Sequence, residues 1–342
     1  MSTFGRIEAE ETLWRQQRGA VSRPFRESAG LDKPGCYSQT LKRAAVDFGI
    51  DQSFEKASQK LREHYGLCIS ATRVRRESLC VAASLPQESP EAVRTLAPKG
   101  ADVIVAEIDG TMIPTMCVPE GCPGGDRRKH RKIEWKEMRL MAAQAQGSTR
   151  THYGAGFDNP EQAGARWTQV VKAAGWAVNS HVHGVGDGAG WINTQFTQHF
   201  GAHGSYLLDL WHVSEYIAGA APANGDSGQY LERTREALRQ NKAGEVLDEL
   251  AGRIESWEQA DENAPVRRAH RYLDKRRDQL DYQGALKRGL PVGSGLIESG
   301  HRHVLQARLK IPGAWWKPAN AHAMAQLRVL RANSLWHTLW DN

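Results

Sequence analysis

The run Val103-Ile104-Val105-Ala106-Glu107-Ile108-Asp109-Gly110-Thr111 puts a carboxylate at the end of the most strand-like stretch in the chain. Its β-branched apolar residues follow Gly100 and read as a buried strand, although a buried helical segment also fits the pattern. Asp109 is the residue to explain, because a lone carboxylate on a buried strand is costly unless paired, hydrogen-bonded or bound to a cation. Asp-Gly is also a common turn dipeptide, so the plain alternative is that Asp109-Gly110 closes the strand. The arrangement of the chain after Thr111 separates the two readings.

At 342 residues the chain has room for two or three domains, or for one large core with insertions, and needs no covalent staples. Its net charge of +6 permits a nucleic-acid partner without requiring one. Two dense basic runs are more telling: Arg127-Arg128-Lys129-His130-Arg131-Lys132 and Arg267-Arg268-Ala269-His270-Arg271. Each is either a solvated face or a contact for nucleic acid, with Arg127, Arg128 and Lys129 the candidates in the first. Five cysteines without framework spacing point to a reducing compartment. Cys117 and Cys122 lack the second pair that would complete a zinc site, so they are read as structurally neutral. No apolar signal core opens the chain and no run approaches a membrane span, so a cytoplasmic protein without a membrane partner is expected.

In chain order, residues 1–98 read as a separable helical region. Phe54 to Gly66 has helical spacing, Ser53 as N-cap and Gly66 as stop, and Ser70-Ala71-Thr72 starts a second helix through Val74 and Leu79. With Arg73, Arg75 and Arg76 near its start, this is the layout of a helix-turn-helix DNA reader, although two helices around a glycine occur in any helical domain. Pro86, Pro90 and Pro98 mark a linker. Further strands are expected over Met112 to Val118 and Trp135 to Ala143, a helix over Asn159 to Gly175, and a fourth strand from Ala177 to Gly186. A short helix from Trp191 to Phe200 and a fifth strand from Ser205 to His212 come next. Three strands, helix, strand, short helix, strand is the order of a ribonuclease H-like mixed α/β sheet. The spacing predicts a catalytic core over 99–225, an all-helical insertion over 226–288, and core completion with C-terminal helices over 289–342. Glu298 follows the glycine-rich turn Gly293-Ser294-Gly295, which opens a helix running to Leu309.

In such a sheet the first and fourth strands are neighbours, so Asp109 and Asp187 would meet at one edge with Glu298 leaning over them. Three carboxylates there cannot all be ionised without cations, and oxygen ligands suit Mg2+ or Mn2+. Two such ions would activate a water or a 3′-hydroxyl in phosphodiester chemistry.

Asp109-Gly110, Gly186-Asp187-Gly188-Ala189-Gly190-Trp191-Ile192, Asp209-Leu210-Trp211-His212 and Val292-Gly293-Ser294-Gly295-Leu296-Ile297-Glu298-Ser299 resemble the motifs of bacterial insertion-sequence DDE transposases. The similarity is to the Mutator-related branch and the ISKra group within it, and Arg308-Leu309-Lys310-Ile311-Pro312-Gly313-Ala314-Trp315-Trp316 also looks like that group. The resemblance covers about residues 50–335. It implies a DNA transposase that binds terminal inverted repeats, cleaves DNA and transfers strands to target DNA as a homo-oligomer. Asp109, Asp187 and Glu298 would bind the metal, with Asp209 and His212 supporting them. Related transposases also set an aromatic of the insertion against DNA; Trp257 is the nearest match, and packing within an amphipathic helix is the favoured reading of it.

Two departures stand out. The chain before Asp109 is shorter than this group leads one to expect. His181 and His183 occupy a strand that is usually aliphatic, where alternate residues share a face and a His-x-His could hold a transition metal with Asp187. A partly exposed strand face is the plainer reading. Gly184-Val185-Gly186-Asp187-Gly188-Ala189 matches the dinucleotide fingerprint weakly, since Asp187 would face the pyrophosphate. Two alternatives to the transposase remain: a transposase-derived DNA-binding repressor that no longer cuts, and a metal hydrolase built on His181, His183, Asp187 and His212.

Overall fold

The computed structural model describes all residues other than 9, 16–20, 25–36, 87–89, 120–126, 224–225 and 341–342. The chain divides into two compact units, one of residues 1–88, 112–136 and 302–342, the other of residues 89–111 and 137–301.

The architecture is mixed α/β. A five-stranded sheet contains β1 (Val103–Cys117), β2 (Lys132–Ala145), β3 (Thr151–Gly156), β4 (His181–Gly186) and β5 (Gly204–Leu208), in the order β3-β2-β1-β4-β5. β4 runs parallel to both β1 and β5, and β3 is antiparallel to β2. Asp109-Gly110 is no turn: the expected separate strand from Met112 is the second half of one 15-residue strand. Gly110 lies inside it, with the exposed Glu137 side chain over the space a Cβ would take. The third strand is Thr151–Gly156, a stretch too rich in glycine to show β propensity. A Cβ on Gly154 would meet Val170 at 2.7 Å, so the helix over this strand requires the small residue.

In the second unit, α4 (Pro160–Ala173) is capped by Asn159 in a reciprocal capping box with Gln162. α5 (Gly190–Phe200) follows β4, and Trp167, Trp176, Phe196, Phe200 and Tyr206 form an aromatic cluster between these helices and the sheet. The expected strand to His212 stops at Leu208, because Asp209 caps α6 (Leu210–Gly219) by accepting from the Trp211 and His212 amides. α7 (Ser227–Arg239), α8 (Ala243–Ala251), α9 (Pro265–Asp274) and α10 (Tyr282–Lys287) complete the helical region. Tyr230, Leu238, Val246, Leu250, Leu273 and Tyr282 from these helices belong to the same apolar core as Ile104, Val182 and Leu207 of the sheet. α11 (Gly295–Gly300) then passes into a π-helical stretch, His301–Gln306.

In the first unit, α1 (Gln39–Asp51), α2 (Phe54–Tyr65) and α3 (Ala71–Ala83) enclose a core of Leu41, Ala45, Ala57, Leu61, Ile69 and Val74. Ser53 and Ser70 cap α2 and α3, and Gly66 ends α2 at φ 68°. α12 (Pro318–Ala332) has proline at its start, where the missing amide costs nothing. Among the described residues no helix is long and apolar enough to cross a membrane.

Candidate active site

The strand register brings the acidic residues into a row. β1 pairs with β4 from Val103 opposite His181 to Glu107 opposite Val185, and that register carried two residues on sets Asp109 beside Asp187. β4 pairs with β5 up to Gly186 opposite Leu208, and one residue further sets Asp187 beside Asp209. Asp109, inside β1, and Asp187 and Asp209, one residue past the ends of β4 and β5, thus stand on three adjacent parallel strands, the latter two at the carboxyl ends where open α/β sheets hold their sites.

Each is positioned by its own local structure. Asp109 keeps a side chain 39% exposed, accepts from the Gly110 amide at 2.7 Å, and has its Oδ2 3.2 Å from Nε2 of buried His301. That approach is an ion-pair distance off the hydrogen-bond axis, since neither ring nitrogen of His301 makes a hydrogen bond among the described residues. Asp187 accepts from the Ala189 amide at 2.9 Å in a tight turn that puts Gly188 at φ 74°. Two side chains of the helical region hold this turn. Tyr272 donates to the Asp187 carbonyl at 2.6 Å, and Arg276 donates through Nε and Nη2 to the Gly188 carbonyl at 3.0 and 2.8 Å.

Asp209 is buried and committed on both oxygens. Oδ1 caps α6, and Oδ2 accepts from the Ser294 amide at 2.9 Å and from the Ser294 hydroxyl. It therefore ties the glycine-rich turn before α11 to the end of β5. Gly293 is required in that turn, because a Cβ would lie 2.7 Å from the Trp211 ring. His212 is half-buried in the first turn of α6. Glu298 is exposed on α11, its amide donating to the Ser294 carbonyl at 3.2 Å, and its side chain makes no hydrogen bond or ion pair among the described residues.

Glu107 is the functional candidate that the sequence pattern does not single out. It lies two positions before Asp109 on the same face of β1, is 1% exposed, and accepts from the Ile297 amide at 2.7 Å. Burial pushes its carboxyl up to about 8; the Ile297 and Leu296 amides oppose this, and the nearby charges of Asp209 and Glu298 add to it. Its one signal is an acid inside a run of buried β-branched residues, and Asp109 in the same run carries that signal more plainly.

The donor set is all carboxylate oxygen, which fits a hard divalent cation such as Mg2+ or Mn2+. The like charges gathered around Glu107 are those a cation would neutralise. Among the described residues no three such side chains converge as a finished ligand cage. The histidines of β4 face other duties: His181 Nε2 bonds Ser205 Oγ at 2.9 Å and His183 Nε2 bonds the Pro291 carbonyl at 2.9 Å. Burial, foremost, lowers the pKa of both.

The basic candidates differ in availability. Arg73 is engaged by Glu77 at 2.7 Å and stacks over Tyr37, whereas Arg75 and Arg76 are exposed on α3. Lys129 is exposed in the helical turn Arg127–His130; the side chains of Arg127 and Arg128 and the whole of Cys122 lie outside the described residues. In the second basic run Arg267 is buried and bound to Asp261, Ser256 and Gln259. Trp257 corrects the favoured reading: it is 82% exposed in a turn rather than packed in a helix, with Arg267 over its ring.

The model of an uncharacterised protein family, UPF0236, matches residues 1–338, so the chain belongs to that family. No curated protein matches the chain.

Proposed function

Taking membership of that family as the starting point, we propose that the protein is a DNA transposase of the DDE type on a ribonuclease H-like fold. The observation that carries this reading is the row of Asp109, Asp187 and Asp209 across three adjacent parallel strands, with the helix of Glu298 latched beside it. Asp109, Asp187 and Glu298 are the proposed ligands of two divalent ions, Mg2+ or Mn2+. When bound, these supply the Lewis acidity for attack of water, and then of the freed 3′-hydroxyl, on phosphodiesters.

The chain's own residues do the positioning. Asp209 holds the Gly293–Gly295 turn through Ser294, and Glu107 holds the Ile297 amide, so the two together set where α11 presents Glu298. Tyr272 and Arg276 hold the turn that presents Asp187. His301 stands at Asp109 from the first turn of the π-helical stretch, a distortion that recurs at functional sites. Arg75 and Arg76 on α3 are the cations free to meet DNA phosphates at the element's ends. Double-stranded DNA and a second copy of the chain are the proposed partners.

The test is Mg2+- or Mn2+-dependent cleavage of a labelled duplex carrying the inverted repeats that flank the gene. The expected result is cleavage at the repeat ends by the native protein and none by Asp187→Asn. Cleavage that survives Asp187→Asn would reject the site, and binding without cleavage under either metal would favour a non-cutting DNA-binding derivative.

A further inference from the structure

A pocket of about 340 Å3 lies within the first unit, formed by the start of α2, one face of α3 and the segment around Trp315. Arg308 lines it, only 2% exposed and sandwiched between aromatic rings, its guanidinium carbon 4.5 Å from the Phe54 centroid and 4.8 Å from that of Trp316. Its Nε donates to the Gly49 carbonyl at 2.9 Å, while Nη2 has no hydrogen-bond partner among the described residues. A buried donor left unmade is costly, and more so on a cation. The carboxylate that acts on it, Asp51, is already shared by Arg328 and Arg331. Burial and the charge of Arg328 lower the Arg308 pKa to about 10, which leaves it charged at neutral pH but without a full counter-charge.

The rest of the lining points the same way. Arg75 and Lys317 bring two further cations, and no carboxylate lines the pocket among the described residues. Trp315 offers an exposed ring braced edge-on by Trp135 at 6.2 Å. The space is roughly ten times the share of one water in the liquid, more than a phosphate alone fills. Cations without acids select an anion, the exposed indole selects a π-face, and the volume admits both on one ligand.

From these observations we infer that the pocket binds one nucleotide, its phosphate on Arg308, Arg75 and Lys317 and its base against Trp315. A residue of a DNA strand and a free mononucleotide present the same chemistry. The strand as source rests on the transposase reading; the pocket itself does not.

The test uses the full chain in EDTA, so that loss of metal-dependent cleavage has no bearing on it. A fluorescein-labelled oligothymidylate is titrated by anisotropy, with thymidine monophosphate and inorganic phosphate as competitors. The variants are Trp315→Ala and the double change Arg75→Gln with Lys317→Gln, all exposed positions whose fold is checked by circular dichroism. Each variant is expected to weaken oligothymidylate binding about tenfold, the usual order for loss of one stacked base or of two phosphate pairings. Irradiation of a strand carrying 5-iododeoxyuridine is expected to cross-link to Trp315. Competition by the monophosphate well below the concentration at which phosphate competes would identify a free nucleotide as sufficient. Variant-sensitive binding without such competition would identify a strand residue. Full-strength binding by both variants, absence of any binding, cross-links only at other residues, or equal competition by phosphate and monophosphate would each overturn the inference.

Discussion

Glu107 is where the chemistry of single residues leaves a measurable trace. Its pKa of about 8, against an ordinary 4.5, means that the folded protein holds a proton the unfolded chain has released. Its contribution to stability is therefore fully present below about pH 4.5 and is lost as the pH rises through about 8. The upper limit is about 1.4 kcal/mol per pH unit. Urea denaturation across this window should show the native protein losing up to about 5 kcal/mol more than Glu107→Gln, whose amide cannot titrate. Parallel pH profiles for the two proteins would remove this account. Asp187 is the complementary case. It is half-buried in a turn held by Tyr272 and Arg276, so Asp187→Asn should leave thermal stability within about 0.5 kcal/mol while abolishing metal-dependent cleavage.

At the scale of elements, one carboxylate joins three of them. Asp209 ends β5, caps α6 and latches the turn before α11, so Asp209→Ala removes a cap and leaves the buried Ser294 hydroxyl and amide unpaired. A loss of about 2–4 kcal/mol is expected, against about 1 kcal/mol for Ser294→Ala, which keeps the cap. Equal losses would mean that the latch, and not the cap, carries the effect. The helix α3 has a corresponding division among its arginines. Because Arg73 is bound to Glu77 and Tyr37, Arg73→Ala should act on stability, while Arg75→Ala with Arg76→Ala should act on DNA. Every phosphate that is no longer neutralised should lower the slope of log affinity against log salt by about 0.9. A double variant with an unchanged slope would take α3 out of the DNA interface.

For the whole molecule, the helices from Ser227 to Lys287 matter more than an appended domain would. Tyr230, Leu250, Leu273 and Tyr282 share one apolar core with the sheet, and Tyr272 and Arg276 reach from them to the turn of Asp187. Replacing residues 227–287 by a short linker should expose that core, so the product should show little hydrogen-exchange protection in β4 and β5. Retained protection there would show that the helical region is dispensable for the sheet. The isolated segment, lacking the sheet face it packs on, should not fold cooperatively.

Much of this fold is written locally. Ser53, Gly66, Ser70, Asn159 and Gly175 mark helix ends through their own backbone and side-chain chemistry, and Val103 to Ile108 marks a buried strand by composition alone. From Asn159 onward the order helix, strand, helix, strand is legible for the same reason. The local pattern does not say which groups lie opposite one another. Gly110 reads as a turn until the strand is seen to run on through it to Cys117, and Thr151–Gly156 reads as loop until α4 is packed on Gly154. The same holds for the charges. Arg73 and Arg76 look alike in sequence, and only the positions of Glu77 and Tyr37 separate a structural cation from an exposed one. Glu107 becomes a protonated acid only because the fold removes its water and brings Asp209 and Glu298 near it; desolvation and Coulomb repulsion depend on distances that only the tertiary structure sets.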